Sequence, residues 1–188
     1  MGFLSDLVAA VRRDLERSPL SEGGLLLHAR SAPEPLDLEA ALGSPGVSVI
    51  AEVKRGSPSA GVLAEVDPAA QARRYGRGGA DAVSVLTEPR HFGGALADLR
   101  LARRAVPELP LLRKDFLVHP SQVIQSRAEG ADAVLLIAAA LSAAELGELR
   151  CVAEELGMCA LVEAFSVRLG VVDELVDHAH LGSLRFTF

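Results

Sequence analysis

Cysteine is nearly missing from this chain of 188 residues: Cys151 and Cys159 are the two, and they do not form a CxxC pair. Two thiols are too few for a disulfide framework, so they read as reduced packing residues of a cytoplasmic protein. No apolar run approaches the ~20 residues of a membrane span. The longest, Ala133 to Leu141, has the length of a buried strand plus its exit. Targeting signals are lacking too. Met1-Gly2-Phe3-Leu4-Ser5-Asp6 has no basic n-region and puts Asp6 where a myristoylation motif wants Ser or Thr. Nor is there a basic excess. With 25 acidic against 19 basic side chains the net charge is −6, which argues against a broad nucleic-acid surface. It leaves room for a small anionic ligand held in one pocket. Disorder is excluded by composition, 49% hydrophobic against 23% charged, and the length suffices to bury a core.

What is present is periodicity. Phe3, Leu4, Leu7, Val8, Val11 and Leu15 recur at helical spacing, with Arg12, Arg13, Asp14 and Glu16 between them. A Pro- and Ser-containing stretch runs from Ser18 to Pro35, and a short helical segment follows around Asp37 to Leu42. Residues 1–46 therefore read as a helical N-terminal extension. From Val47 the pattern becomes a repeat: apolar runs at Val47–Val53, Ala82–Leu86, Leu109–Leu112, Ala133–Ile137 and Cys159–Val162, with helical stretches between. Asp67-Pro68 supplies an N-cap and a first-turn proline, and Ser142 with Glu145 forms a capping-box pattern. Glycines close helices at Gly78-Gly79, Gly130 and Gly157. Residues 47–165 thus hold five consecutive βα units, and 166–188 form a divergent tail that starts with a helical stretch near Ser166.

Strands that are apolar on both faces and alternate with helices belong to a parallel sheet. An open dinucleotide-binding sheet wants a glycine-rich phosphate turn directly after its first strand. Here Lys54-Arg55-Gly56-Ser57-Pro58 stands there, and Gly76-Arg77-Gly78-Gly79 ends a helix rather than starting one. The expected fold class is α/β of the (β/α)₈ barrel kind, with about five of its units present.

Charges stand where strands should be dry. Glu52 and Lys54 are two apart and share one face of the first strand. Lys114 follows the third strand and Glu163 ends the fifth. All four lie at C-terminal strand ends, where barrel enzymes hold their catalytic groups, and alternate strands feed the same interior layer. Buried separately, such charges would cost several kcal/mol each, so they are expected to be paired or solvated in a pocket. The set offers a general acid and a general base; it also reads as a structural ion-pair network. The loops Arg55 to Gly61 and Thr87 to Gly94 suit substrate-covering segments over the barrel mouth. In the second, Phe92 is one of six phenylalanines and is placed to stack on an aromatic group. His178-Ala179-His180 is too isolated for a metal site.

These motifs carry a resemblance. Val49-Ile50-Ala51-Glu52-Val53-Lys54-Arg55-Gly56-Ser57-Pro58-Ser59 resembles the signature of the indole-3-glycerol phosphate synthases, enzymes of tryptophan synthesis. Ser84-Val85-Leu86-Thr87-Glu88-Pro89 with Phe92-Gly93-Gly94 is similar to that family's second strand and loop. Leu111-Leu112-Arg113-Lys114-Asp115-Phe116, Leu135-Leu136-Ile137 and Ala160-Leu161-Val162-Glu163 resemble its third, fourth and fifth strands. The resemblance covers roughly residues 38–163, and loosely the N-terminal helix.

It implies a barrel that converts 1-(2-carboxyphenylamino)-1-deoxyribulose 5-phosphate into indole-3-glycerol phosphate, carbon dioxide and water. By this resemblance Lys114 is the general acid at the ribulose carbonyl and Glu163 the general base of dehydration. Lys54 contacts the anionic groups and assists acid catalysis, while Glu52 orients the lysines. Ser57 and Pro58 shape the covering loop; Phe92, Phe116 and Leu135 line the anthranilate pocket. No metal or organic cofactor is expected, and no nucleic-acid or membrane partner.

The family pattern stops just after Glu163. A sixth strand with asparagine and arginine, and two glycine- and serine-rich phosphate turns, find no counterpart in Ala164 to Phe188. A whole barrel takes about 250 residues. The expectation is a truncated or frameshifted copy with impaired activity. Its first and fifth strands would be open sheet edges that invite self-association. A non-catalytic half barrel that binds or oligomerises is the alternative. A phosphosugar isomerase is disfavoured, because those barrels place Cys or Asp at the end of the first strand.

Overall fold

In the computed structural model, which describes residues 2–43, 45–57, 61–62, 67–164 and 184–187, the apolar runs become strands and the intervening stretches helices. Helices α1 (Phe3–Arg17), α2 (Glu22–Ser31) and α3 (Leu38–Leu42) precede β1 (Ile50–Val53). A small antiparallel pair, β2 (Gly56–Ser57) and β3 (Gly61–Val62), leads to α4 (Pro68–Arg77) and β4 (Ala82–Leu86). Next come α5 (Pro89–Phe92), α6 (Leu96–Ala105), β5 (Leu111–Lys114), α7 (Pro120–Ala128) and β6 (Ala133–Ile137). A 3₁₀ turn at Ala138–Ala140, α8 (Ala143–Glu155), β7 (Cys159–Glu163) and β8 (Leu184–Thr187) complete the order.

Helix starts follow local chemistry. The Asp67 carboxylate accepts from the Ala69 N–H ahead of Pro68, and Ser142 and Glu145 form a reciprocal capping box at α8. The third strand starts two residues later than the apolar run suggested, at Leu111. Its last residue is Lys114 itself, so that lysine is fixed by the sheet rather than by the loop beyond it.

Six strands form one parallel sheet in the order β1-β4-β5-β6-β7-β8. Each lies beside its predecessor in the chain, with no reversal of direction around the sheet. A doubly wound sheet reverses at a switch point, whereas a barrel wall is wound in this sequential way. The expected open edge on the fifth strand is corrected: β8 pairs with β7 from Ala160↔Leu184 to Glu163↔Thr187. Leu184-Arg185-Phe186-Thr187 matches no family motif, yet its backbone satisfies the groups that an edge leaves unpaired. The helical stretch expected from Ser166 and the pair His178 and His180 lie outside the described residues.

Alternation separates two faces. Val53, Val83, Val85, Leu111, Val134, Leu136, Ala160 and Val162 pack against Leu99, Val106, Val123, Leu146 and Leu149 of the helical layer. Their neighbours Ala82, Leu112, Ala133, Leu135, Ile137 and Leu161 face the other way, where Leu38 of α3 packs on them. That inner face is the one on which Glu52, Lys114 and Glu163 emerge, because each shares parity with it on its own strand.

At the opposite end of the sheet, Asp132 holds three segments together. It is 3% exposed and accepts from the Leu36 N–H at 2.9 Å and the Leu111 N–H at 2.7 Å, while pairing with the Arg103 guanidinium. Burial pushes the Asp132 carboxyl above the usual carboxylate range, against the pull of Arg103 and the two backbone donors. Replacing Asp132 by alanine leaves the Leu36 and Leu111 N–H groups without their acceptor. Arg103 keeps the Gly130, Pro107 and Leu109 carbonyls but loses its counter-charge, and the substitution is expected to cost about 3 kcal/mol. Urea unfolding followed by far-UV circular dichroism measures it; an unchanged midpoint would contradict the role.

Candidate active site

The strand register brings four charges to one place. Glu52 near the end of β1, Lys54 just past it, Lys114 at the end of β5 and Glu163 at the end of β7 come from the first, third and fifth strands of the sheet. Lys54 Nζ lies 2.8 Å from one Glu52 oxygen; Lys114 Nζ lies 4.0 Å from the other and 3.5 Å from Glu163. The result is one line of alternating charge, Lys54–Glu52–Lys114–Glu163. Each side chain keeps contact with solvent, about a third exposed for the lysines and 19% for Glu163. Pairs that wet contribute little to stability, so the reading as a purely structural network loses weight.

Beside them is a cavity of about 370 Å³, lined by all four charges together with Phe92, Phe116, Leu135, Leu86, Ile137, Asp115, Phe3 and Leu4. The Phe92 and Phe116 rings stack with centroids 6.5 Å apart and planes 28° from parallel. Phe92 is set by α5, whose N-terminal N–H groups, those of Arg90, His91 and Phe92, all donate to the buried Glu88 carboxylate. A volume of this order, apolar on one side with a few convergent charges, suits a small aromatic anion.

The layer beneath holds the line in register. The Tyr75 hydroxyl donates to the Glu52 carbonyl at 2.8 Å. Arg55, next to Lys54, forks onto the buried Asp98 at 2.8 and 2.7 Å, and this hydrogen bonding raises its already high pKa. Arg113 points away from the cavity into the helical layer. Its guanidinium donates to Asp115, Thr87, Ser126 and the Gln122 carbonyl at 2.9–3.1 Å. Asp115 in turn accepts from Thr87 and from the Phe116 N–H, so both neighbours of Lys114 are immobilised.

Of the residues expected from the sequence, Lys114, Glu163, Lys54, Glu52, Phe92, Phe116 and Leu135 come together in this cavity. Ser57 lies in β2, but its side chain and Pro58 fall outside what is described. Sequence reasoning missed Leu86 and Ile137, although the same period of two that exposed Glu52 would have found them. It also missed Phe3 and Leu4. Helical spacing marked their helix but carried no signal that α1 lies across the cavity mouth, where Phe3 meets His91 edge-on at 5.0 Å. Gly94 is a further hidden constraint: a Cβ there would sit 2.1 Å from the Leu86 carbonyl oxygen. Gly94→Ala is expected to displace α5 and Phe92 from the cavity, read as loss of the aromatic near-UV circular dichroism contributed by the phenylalanine pair. An unaltered spectrum would argue against this close packing.

Comparison with known proteins bears on the same residues. The model of the family "Indole-3-glycerol phosphate synthase" matches residues 4–168, which include the whole charged line. The chain is 54% identical over 172 residues to the indole-3-glycerol phosphate synthase of Micrococcus luteus, covering 87% of this chain and 64% of that protein. It is 52% identical over 166 residues to the Nocardioides enzyme, covering 87% and 64%, and 55% identical over 173 residues to that of Salinibacter ruber, covering 88% and 63%. The chain therefore spans a little under two thirds of the length of these relatives. No helix among the described residues is long and apolar enough to cross a membrane. A sequentially wound parallel sheet, with two lysines and two glutamates at its strand ends and a family match over nearly the whole chain, makes this protein a member of the indole-3-glycerol phosphate synthase family.

Proposed function

We propose that this site closes the indole ring: 1-(2-carboxyphenylamino)-1-deoxyribulose 5-phosphate is converted to indole-3-glycerol phosphate with loss of carbon dioxide and water. The observation that carries the reading is the line Lys54–Glu52–Lys114–Glu163 running beside the stacked pair Phe92 and Phe116. The aryl ring lies against the phenylalanines and Leu135. Its carboxylate-bearing carbon attacks the ribulose carbonyl while Lys114 gives the carbonyl oxygen a proton. Carbon dioxide departs, its bonding pair returns to the six-membered ring, and the benzene ring is aromatic again. In the dehydration that follows, Lys54 protonates the hydroxyl so that it leaves as water, while Glu163 takes a proton from the new ring. Lys54 pairs the anionic groups and assists the acid step, and Glu52 orients both lysines.

The cations lining the cavity among the described residues are Lys54 and Lys114. Purified chain is expected to turn over the substrate. Lys114→Ala is expected to lower kcat by about 10²–10⁴-fold, and Glu163→Gln by a similar factor, with smaller effects on KM. Product fluorescence in a steady-state assay measures all three. Full activity in the Lys114 variant would overturn the assignment of its role, and no turnover by the unaltered chain would overturn the synthase reading.

One observation favours a second role as an oligomerising or binding fragment. The outer edge of β1 has no partner strand among the described residues, and Val47 and Val49 beside it are exposed. Sedimentation velocity across a concentration series tests it: a monomer throughout rejects self-association.

A further inference from the structure

Of the 19 basic residues in the chain, 17 are arginine and only two are lysine, Lys54 and Lys114. Both line the cavity. Wherever the fold needs a cation it has an arginine, as in Arg103 with Asp132, Arg113 with Asp115 and Arg55 with Asp98. A guanidinium stays protonated and is no nucleophile, whereas a lysine amine becomes one once it sheds a proton. The cavity therefore holds the side-chain amines of the whole molecule.

The two differ in their contacts. Lys54 is held by Glu52 at 2.8 Å, a full charge-assisted hydrogen bond. Lys114 shares Glu52 at 4.0 Å and faces Glu163 at 3.5 Å, both longer than the Lys54 contact. It lines the same cavity as Phe92, Phe116, Leu135 and Ile137, and the Glu163 carboxylate is one water or a small side-chain rotation away from exchanging a proton with it. An amine with an adjacent base, in a cavity that can seat a carbonyl compound, is the arrangement of imine-forming covalent sites.

We propose that Lys114 is an imine-forming amine, and that the cavity captures aromatic aldehydes bearing a carboxylate as covalent adducts. This shares the cavity with the synthase reaction but is a separate chemistry that needs no phosphate. Glu163 takes a proton from the Lys114 ammonium, and the freed nitrogen pair forms a bond to the aldehyde carbon as the carbonyl pair moves to oxygen. A proton passes from nitrogen to that oxygen to give the carbinolamine. Glu163 then returns its proton to the hydroxyl, the C–O bond breaks, and water leaves a protonated imine. The ring rests on the Phe92–Phe116 pair while Lys54 pairs the carboxylate.

The test incubates the purified chain with 4-carboxybenzaldehyde and sodium cyanoborohydride, the hydride donor that traps the imine as a secondary amine. Intact mass and peptide mapping locate the product. The expected result is one adduct on Lys114, formed at least about tenfold faster than on Lys54 or the α-amino group and slowed by benzoate as competitor. Glu163→Gln, checked as folded by circular dichroism, is expected to slow it further. Equal labelling of Lys54 and Lys114, labelling of the α-amino group alone, or no labelling overturns the proposal. Turnover of the synthase substrate without an adduct rejects this inference and leaves the synthase reading standing; an adduct without turnover does the reverse.

Discussion

Two ammonium groups share one carboxylate, that of Glu52, and much of the structure serves to keep that arrangement in place. Two like charges in one cavity repel, and only an acid between them makes the approach favourable. Glu52 in turn is fixed by its strand: its carbonyl accepts from Tyr75, and β1 is zipped to β4 from Ile50↔Ala82 to Val53↔Val85. The second lysine is brought from β5, whose flanking residues Arg113 and Asp115 are bonded to each other and to Thr87. The charged line is thus a product of sheet register. A slip by one residue in either strand would turn a lysine to the helical side.

Much of this was readable in the linear sequence, for a definite physical reason. A β-strand repeats every two residues, so a charge with the wrong parity inside an apolar run announces an inner-face site. Glu52, Lys54, Lys114 and Glu163 are four such cases, and all four meet. Helix starts at Asp67 and Ser142 were equally legible, because capping is decided within four residues by local hydrogen bonds. The strands Ala82–Leu86 and Ala133–Ile137 begin and end where the apolar runs do.

What escaped was non-local. Nothing near Asp132 in the chain reveals that its partners are Leu36, Arg103 and Leu111, since the contact exists only once the sheet is assembled. Arg113 beside Lys114 gives no such signal, because its parity points it away from the cavity and its buried donors are satisfied by a helix that follows in the chain. The docking of α1 over the mouth and the pairing of β8 with β7 are decided by surfaces that periodicity does not describe.

Tyr75 gives the molecule an optical property. The chain has no tryptophan, and this is its one tyrosine, half-buried in α4 with its hydroxyl bonded to the Glu52 carbonyl. Its ultraviolet absorption and emission depend on that hydrogen bond, so the natural chromophore of the chain is wired to the carbonyl of the residue that joins the two lysines. Any rearrangement at the end of β1, whether from a ligand, acid or heat, is written into a spectrum that needs no label.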